Sequence, residues 1–124
     1  MAQTRFMDRA ELRRFILEWV CYLEQRGQRV KRVRGALDTL LSRSGRAGRY
    51  RWLLLHVAGS TRRLTPIERE NIARENRLGH KTGEQVYVAI KFSGPVDRVV
   101  VLSAENAARS PCLRADTGGI PWDW

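Results

Sequence analysis

The sequence predicts an α/β domain, with a mixed central sheet of about five strands flanked by helices. Three observations lead there. Apolar residues recur at helical spacing near the N-terminus, several short runs rich in leucine and β-branched residues follow, and a second helical pattern falls between two of those runs. A chain of 124 residues suits one domain, with a core large enough to need no disulfide or metal staple. Residues 1–108 read as that domain and residues 109–124 as an extended C-terminal tail.

The first helix opens at Asp8 with Glu11 three residues later, a capping-box spacing. Leu12, Phe15, Ile16, Trp19, Val20 and Leu23 then form one stripe until Gly27 stops it. Cys21 lies beside the stripe and reads as core filler. Three β-like runs follow, at 29–34, 37–43 and 50–58, the last two joined by the turn signal SGRAG, which implies a hairpin. Leu53, Leu54, Leu55 and Val57 are almost continuously apolar, as a strand buried on both faces requires.

Thr65, Pro66 and Glu68 supply an N-cap, a first-turn proline and a capping-box acid, predicting a helix over 66–78 that ends at Gly79. Its apolar face is thin: Ile67, Ile72, Ala73 and Leu78. Strands are predicted at 85–92 and 98–102 around the turn SGPVD, and a short helix at 103–108. The short link after the second helix permits a parallel crossover from 50–58 to 85–92, right-handed in a common sheet. The tail is rich in Pro and Gly, and Trp122 and Trp124 suggest that it docks on its own domain or on a partner. No internal repeat is present.

Lys and Arg number 23 against 13 Asp and Glu, a formal charge of +10 that favours polyanionic partners, DNA or RNA, or an acidic protein surface. Lys occurs only at positions 31, 81 and 91, so the charge is mostly arginine, whose fork suits phosphate. Cys21, Cys112, His56 and His80 have no zinc-ligand spacing, and reduced intracellular thiols are the simpler account. No signal-like run and no apolar stretch of the ~20 residues that span a bilayer is present, so a soluble, cytoplasmic protein with no membrane partner is expected.

The element order, together with Asp38 in GALDTLL and the stretch LLLHVAGS, resembles the PD-(D/E)XK nuclease superfamily. In size the chain is most similar to its archaeal-type Holliday junction resolvases, over residues 8–102. The resemblance implies a restriction-endonuclease-like fold, and it places Asp38 at the family's aspartate, His56 at its glutamate and Ala58 at its lysine. Two carboxylates holding Mg²⁺ and a nearby ammonium are what phosphodiester hydrolysis needs in such a site. Histidine replaces a hard oxygen ligand poorly and alanine offers nothing, so the motif predicts an inactive or weakly active centre with no cofactor. An active centre would need Mg²⁺ on Asp38, a carboxylate from Glu68, Glu70 or Glu75, and Lys91 reaching in from the neighbouring strand. The candidate catalytic set is therefore Asp38, His56, Glu68 and Lys91. The reading is a nucleic-acid-binding protein with a degenerate nuclease fold, a homodimer as resolvases are, or a subunit of a nucleoprotein complex. Its alternatives are a metal-dependent deoxyribonuclease or ribonuclease with a rearranged acidic site, and a basic adaptor subunit that binds an acidic protein.

A second resemblance is to the metal-free tRNA-splicing endonucleases, for which Tyr50, His56 and Lys81 can be offered in order, although in that family the histidine precedes the apolar strand. Plainer roles stand beside these. Asp38 can accept backbone hydrogen bonds at a strand end, His56 can be a satisfied histidine at the edge of the core, and Lys81 can be a solvated loop lysine. Arg29, Lys31, Arg32 and Arg34 put charge on both faces of one short run, as an edge strand or a phosphate-binding surface would. Arg43, Arg46, Arg49 and Arg51 surround the hairpin turn, and Arg62 and Arg63 precede the second helix, whose free N–H groups also suit phosphate. Nothing resembles a base-reading helix, so binding without sequence specificity is expected.

Overall fold

The computed structural model describes residues 9–35, 37–45, 48–93, 97–115 and 120–121. Asp8, Arg46, Trp122 and Trp124, to which the sequence assigned a cap, a phosphate contact and tail docking, lie outside the described residues. Helix α1 (Arg9–Gln25) is followed by β1 (Arg29–Val33), β2 (Thr39–Ser44), β3 (Gly48–Ala58) and the short β4 (Thr61–Arg63). Then come α2 (Pro66–Lys81), β5 (Glu84–Ser93), β6 (Arg98–Ser103), α3 (Ala104–Arg109), β7 (Cys112–Arg114) and the two-residue β8 (Ile120–Pro121).

The main sheet has the order β1-β2-β3-β5-β6-β8, five substantial strands extended at one edge by β8. β1, β2 and β3 form an antiparallel meander, whereas β3 and β5 are parallel, connected through α2 as predicted. β5 and β6 are antiparallel again. Gly48 opens β3 at φ +103°, a left-handed conformation in which a side chain is strained.

Period-two alternation splits the strands between two cores. Trp52, Leu54, Ala89, Val99 and Val101 face α1, packing on Phe15, Ile16, Trp19 and Leu23, with Trp19 edge-on to Trp52 at 5.3 Å. Leu53, Leu55, Val57, Val88, Ile90 and Phe92 face the opposite way, onto Ile72 of α2 and Ala104 and Ala107 of α3. The result is a three-layer α/β/α sandwich in which Arg51 to Val57 are buried without interruption. Residues beyond α3 also join the domain: β7 pairs with β4, Leu113 is wholly buried, and β8 pairs with β6.

Two local expectations need correction. Cys21 is exposed, because it falls on the outward side of α1 from Trp19 and Leu23. Helix α2 does not stop at Gly79 but continues to Lys81, and it buries Ile72, Glu75 and Gly79 while Ile67 and Leu78 are exposed. The cause is close packing. A Cβ at Gly79 would overlap the Val86 side chain, so glycine here brings the helix backbone onto β5 instead of ending the helix. The N-terminus of α2 is as predicted, with Thr65 and Glu68 exchanging both capping-box hydrogen bonds.

Candidate functional site

The parallel register sets His56 of β3 directly beside Lys91 of β5, both on the α1 side at the downstream end of the two strands. His56 is 3% exposed. Its Nε2 lies 2.9 Å from Ser93 Oγ and 3.8 Å from Glu11 Oε2. Lys91 Nζ lies 3.7 Å from Glu18 Oε1. Serine, histidine and carboxylate meet here, but both partners approach the same imidazole nitrogen. A nucleophilic relay needs them on opposite nitrogens, so this is not a serine-hydrolase arrangement.

Asp38 immediately precedes the adjoining strand β2, its carbonyl accepting from Leu54 N at 2.9 Å. That register leaves the Asp38 and His56 backbones roughly 8 Å apart, one strand over and two residues along. The Asp38 carboxylate is bound instead to Arg32 Nη2 of β1 at 3.3 Å. The three carboxylates offered from α2 are engaged elsewhere. Glu68 closes the helix cap and pairs with Arg62, and Glu70 pairs with Arg77. Glu75 is buried against Arg51 on the far face of the sheet from His56. The structure thus brings His56 and Lys91 together, leaves Asp38 nearby, and places Glu68 apart from all three.

This donor set does not fit Mg²⁺. An octahedral hard cation needs convergent oxygens, and among the described residues no group of three or more His, Cys, Asp or Glu side chains could hold a metal ion. The splicing-endonuclease trio is also not assembled: Tyr50 and His56 are six positions apart on one strand, about 20 Å, and Lys81 is exposed at the end of α2. Glu18 and Ser93 were not singled out in the sequence, and Glu11 was read there only as a helix-capping acid. The available signal was the seven-residue spacing of Glu11 and Glu18 along the border of the α1 stripe, two helical turns on one side.

The basic residues are better gathered. β1 is the edge of the sheet, and Arg29, Lys31 and Arg32 on it are exposed, as is Arg34 just beyond. Arg43 and Arg49 are exposed beside them, and Arg63 is exposed on β4. Arg51 departs from the expectation. It is buried at 8% exposure, donating from Nη1 to Glu75 at 2.8 Å and from Nε to Glu84 at 2.7 Å, and so belongs to the interior and not to the basic surface. Arg62 is tied to Glu68.

This frame, an antiparallel meander followed by a parallel crossover inside a helix-flanked mixed sheet, is the restriction-endonuclease-like fold. Among solved structures, the chain is similar to the Holliday junction resolvase Hjc of the archaeal hyperthermophile Archaeoglobus fulgidus, with a TM-score of 0.59 and 21% identity over 77% of this chain and 74% of that one. No protein-family model and no curated protein matches the sequence. At that identity the likeness extends to the fold. Among the described residues, no helix is long and apolar enough to cross a membrane.

Proposed function

We propose that this protein binds DNA or RNA through its phosphate backbone, on a nuclease-type fold whose hydrolytic centre is degenerate. One observation carries the reading: the open edge of the sheet is a strand of sequence RVKRV, continued by Arg34 and flanked by the exposed Arg43 and Arg49. Charge along an edge deters strand addition. Two or three charges do that, however, and the excess here extends across neighbouring strands. A surface of guanidinium groups with few acids answers a polyanion, and the phosphate contacts it makes carry no sequence information.

The fold similarity to a resolvase supports the same class of ligand, while the chemistry at the centre argues against cleavage. His56 is shielded from solvent, Asp38 is held by Arg32, and position 58 is an alanine. Binding is tested by fluorescence anisotropy with a labelled four-way junction, duplex and single strand at about 0.1 M salt. Displacement by unlabelled nucleic acid, and an affinity that falls steeply with salt, is the expected result. Absence of binding to all three would overturn the proposal and leave the acidic-protein adaptor as the better account.

A further inference from the structure

Helix α1 carries a second stripe on the side away from the sheet. Ala10, Arg14, Leu17, Cys21 and Glu24 follow one another at alternating intervals of four and three residues, and all five are exposed. The middle of the stripe is apolar. Leu17, 66% exposed, and Cys21 border a shallow groove of about 410 Å³ together with Arg14, Glu18, Tyr22 and Gln25. Its two ends differ in charge, with Arg14 in the first half of the helix and Glu24 in the last turn. Arg14 is tied only to Glu11, 3.5 Å away, in an exposed contact of the kind that contributes little. A carboxylate in the last turn faces the helix's own free carbonyl ends, which disfavour it, and Glu24 forms no ion pair with a described residue.

We infer that α1 pairs antiparallel with α1 of a second copy of this chain, about a two-fold axis that passes opposite Trp19. Arg14 and Glu24 lie five residues to either side of Trp19, and Leu17 and Cys21 two residues to either side. A two-fold axis there packs Leu17 of each copy on Cys21 of the other and sets Arg14 of each against Glu24 of the other. One stripe then supplies both members of every contact, which is what an isologous interface requires and what an unrelated partner would have no reason to match. Parallel pairing would instead oppose Arg14 to Arg14 and Glu24 to Glu24, at a cost in charge repulsion. The inference is independent of the nucleic-acid reading, since the stripe lies on a helix face and not on the basic edge of the sheet.

One helix stripe covers less than the ~800 Å² per partner of a standard interface, so the association is weak and is read at high concentration. Sedimentation equilibrium of the full chain without nucleic acid, from about 10 μM to about 1 mM, should show monomer passing to dimer. Leu17→Glu should abolish the dimer, and because Leu17 is exposed the replacement leaves the core intact. Arg14→Glu sets acid against acid in both charged contacts and Glu24→Arg sets base against base, so each variant alone should dimerise about tenfold more weakly. Mixed in equal amounts, the two variants should pair with each other as the unaltered chain pairs with itself, because each supplies the charge that the other lacks. A chain that stays monomeric at every concentration, a dimer indifferent to Leu17→Glu, or single variants that remain apart on mixing would each overturn the inference.

Discussion

Arg51 is the point at which the account of the interior can be tested most severely. Its side chain and those of Glu75 and Glu84 are 10%, 8% and 9% exposed, so the three charges are nearly out of water. Arg51→Met removes the cation and leaves two carboxylates buried together, with the hydrogen bonds of 2.8 and 2.7 Å gone. Breaking a buried ion pair costs about 3–5 kcal/mol, and two charge-assisted hydrogen bonds at about 1.5–3 kcal/mol each lead to the same range. For a domain whose whole stability is roughly 5–15 kcal/mol, this is a large fraction. Urea unfolding should show a midpoint lower by about 2 M, taking a slope near 2 kcal/mol/M. Arg51→Lys, which keeps the charge but not the two-pronged donor, should fall between. The combination Arg51→Met, Glu75→Leu and Glu84→Gln should recover most of the loss, because apolar replacement of a buried ionic group is often close to neutral. A loss below about 1 kcal/mol for Arg51→Met would mean that the charges are screened as at a surface, and the buried ionic core described for the β3–α2 interface would be refuted.

Further outcomes follow from particular contacts. Gly79→Ala should destabilise the protein by about 1–3 kcal/mol through overpacking against Val86, and Val86→Ala in the same chain should relieve part of that loss in urea unfolding. Thr65→Ala removes the side-chain oxygen that accepts from Glu68 N, and should lower stability by about 1 kcal/mol in the same assay. Ser42→Ala deletes the hydroxyl between Trp52 Nε1 at 2.8 Å and Gln28 Oε1 at 2.6 Å, and should cost about 1–3 kcal/mol, read also as a change in tryptophan fluorescence. Chelator should leave both thermal stability and nucleic-acid affinity unchanged, as checked by melting and anisotropy with and without added Mg²⁺.

The architecture was legible in the sequence because its signals were local and redundant. The near-continuous apolar run in 50–58, the SGRAG signal between two strands and the Thr65, Pro66, Glu68 cap each report a short-range physical constraint, and the buried strand, the hairpin pairing and the helix start appear where those constraints put them. What was illegible depended on contacts between distant residues. Gly79 reads as a helix stop from sequence alone, and only its neighbour Val86, brought in by the parallel crossover, shows why a helix can pass through it. Arg51 looks like another surface arginine of the hairpin until strand alternation turns it towards Glu75. Glu11 read as a capping residue, yet it reaches the imidazole of His56, a residue 45 positions later. The short β4 and β7 pair across an interval that no periodicity marks.

A single gel-based measurement bears most directly on the claim of binding without hydrolysis. Excess protein is incubated with a labelled four-way junction in Mg²⁺, and each sample is divided between a native gel and a denaturing gel. A shifted complex whose strands remain full length is the result this account predicts. Shortened strands that disappear with chelator would show that a metal centre assembles after all, and an unshifted junction with no single-strand or duplex complex either would remove the nucleic-acid ligand itself.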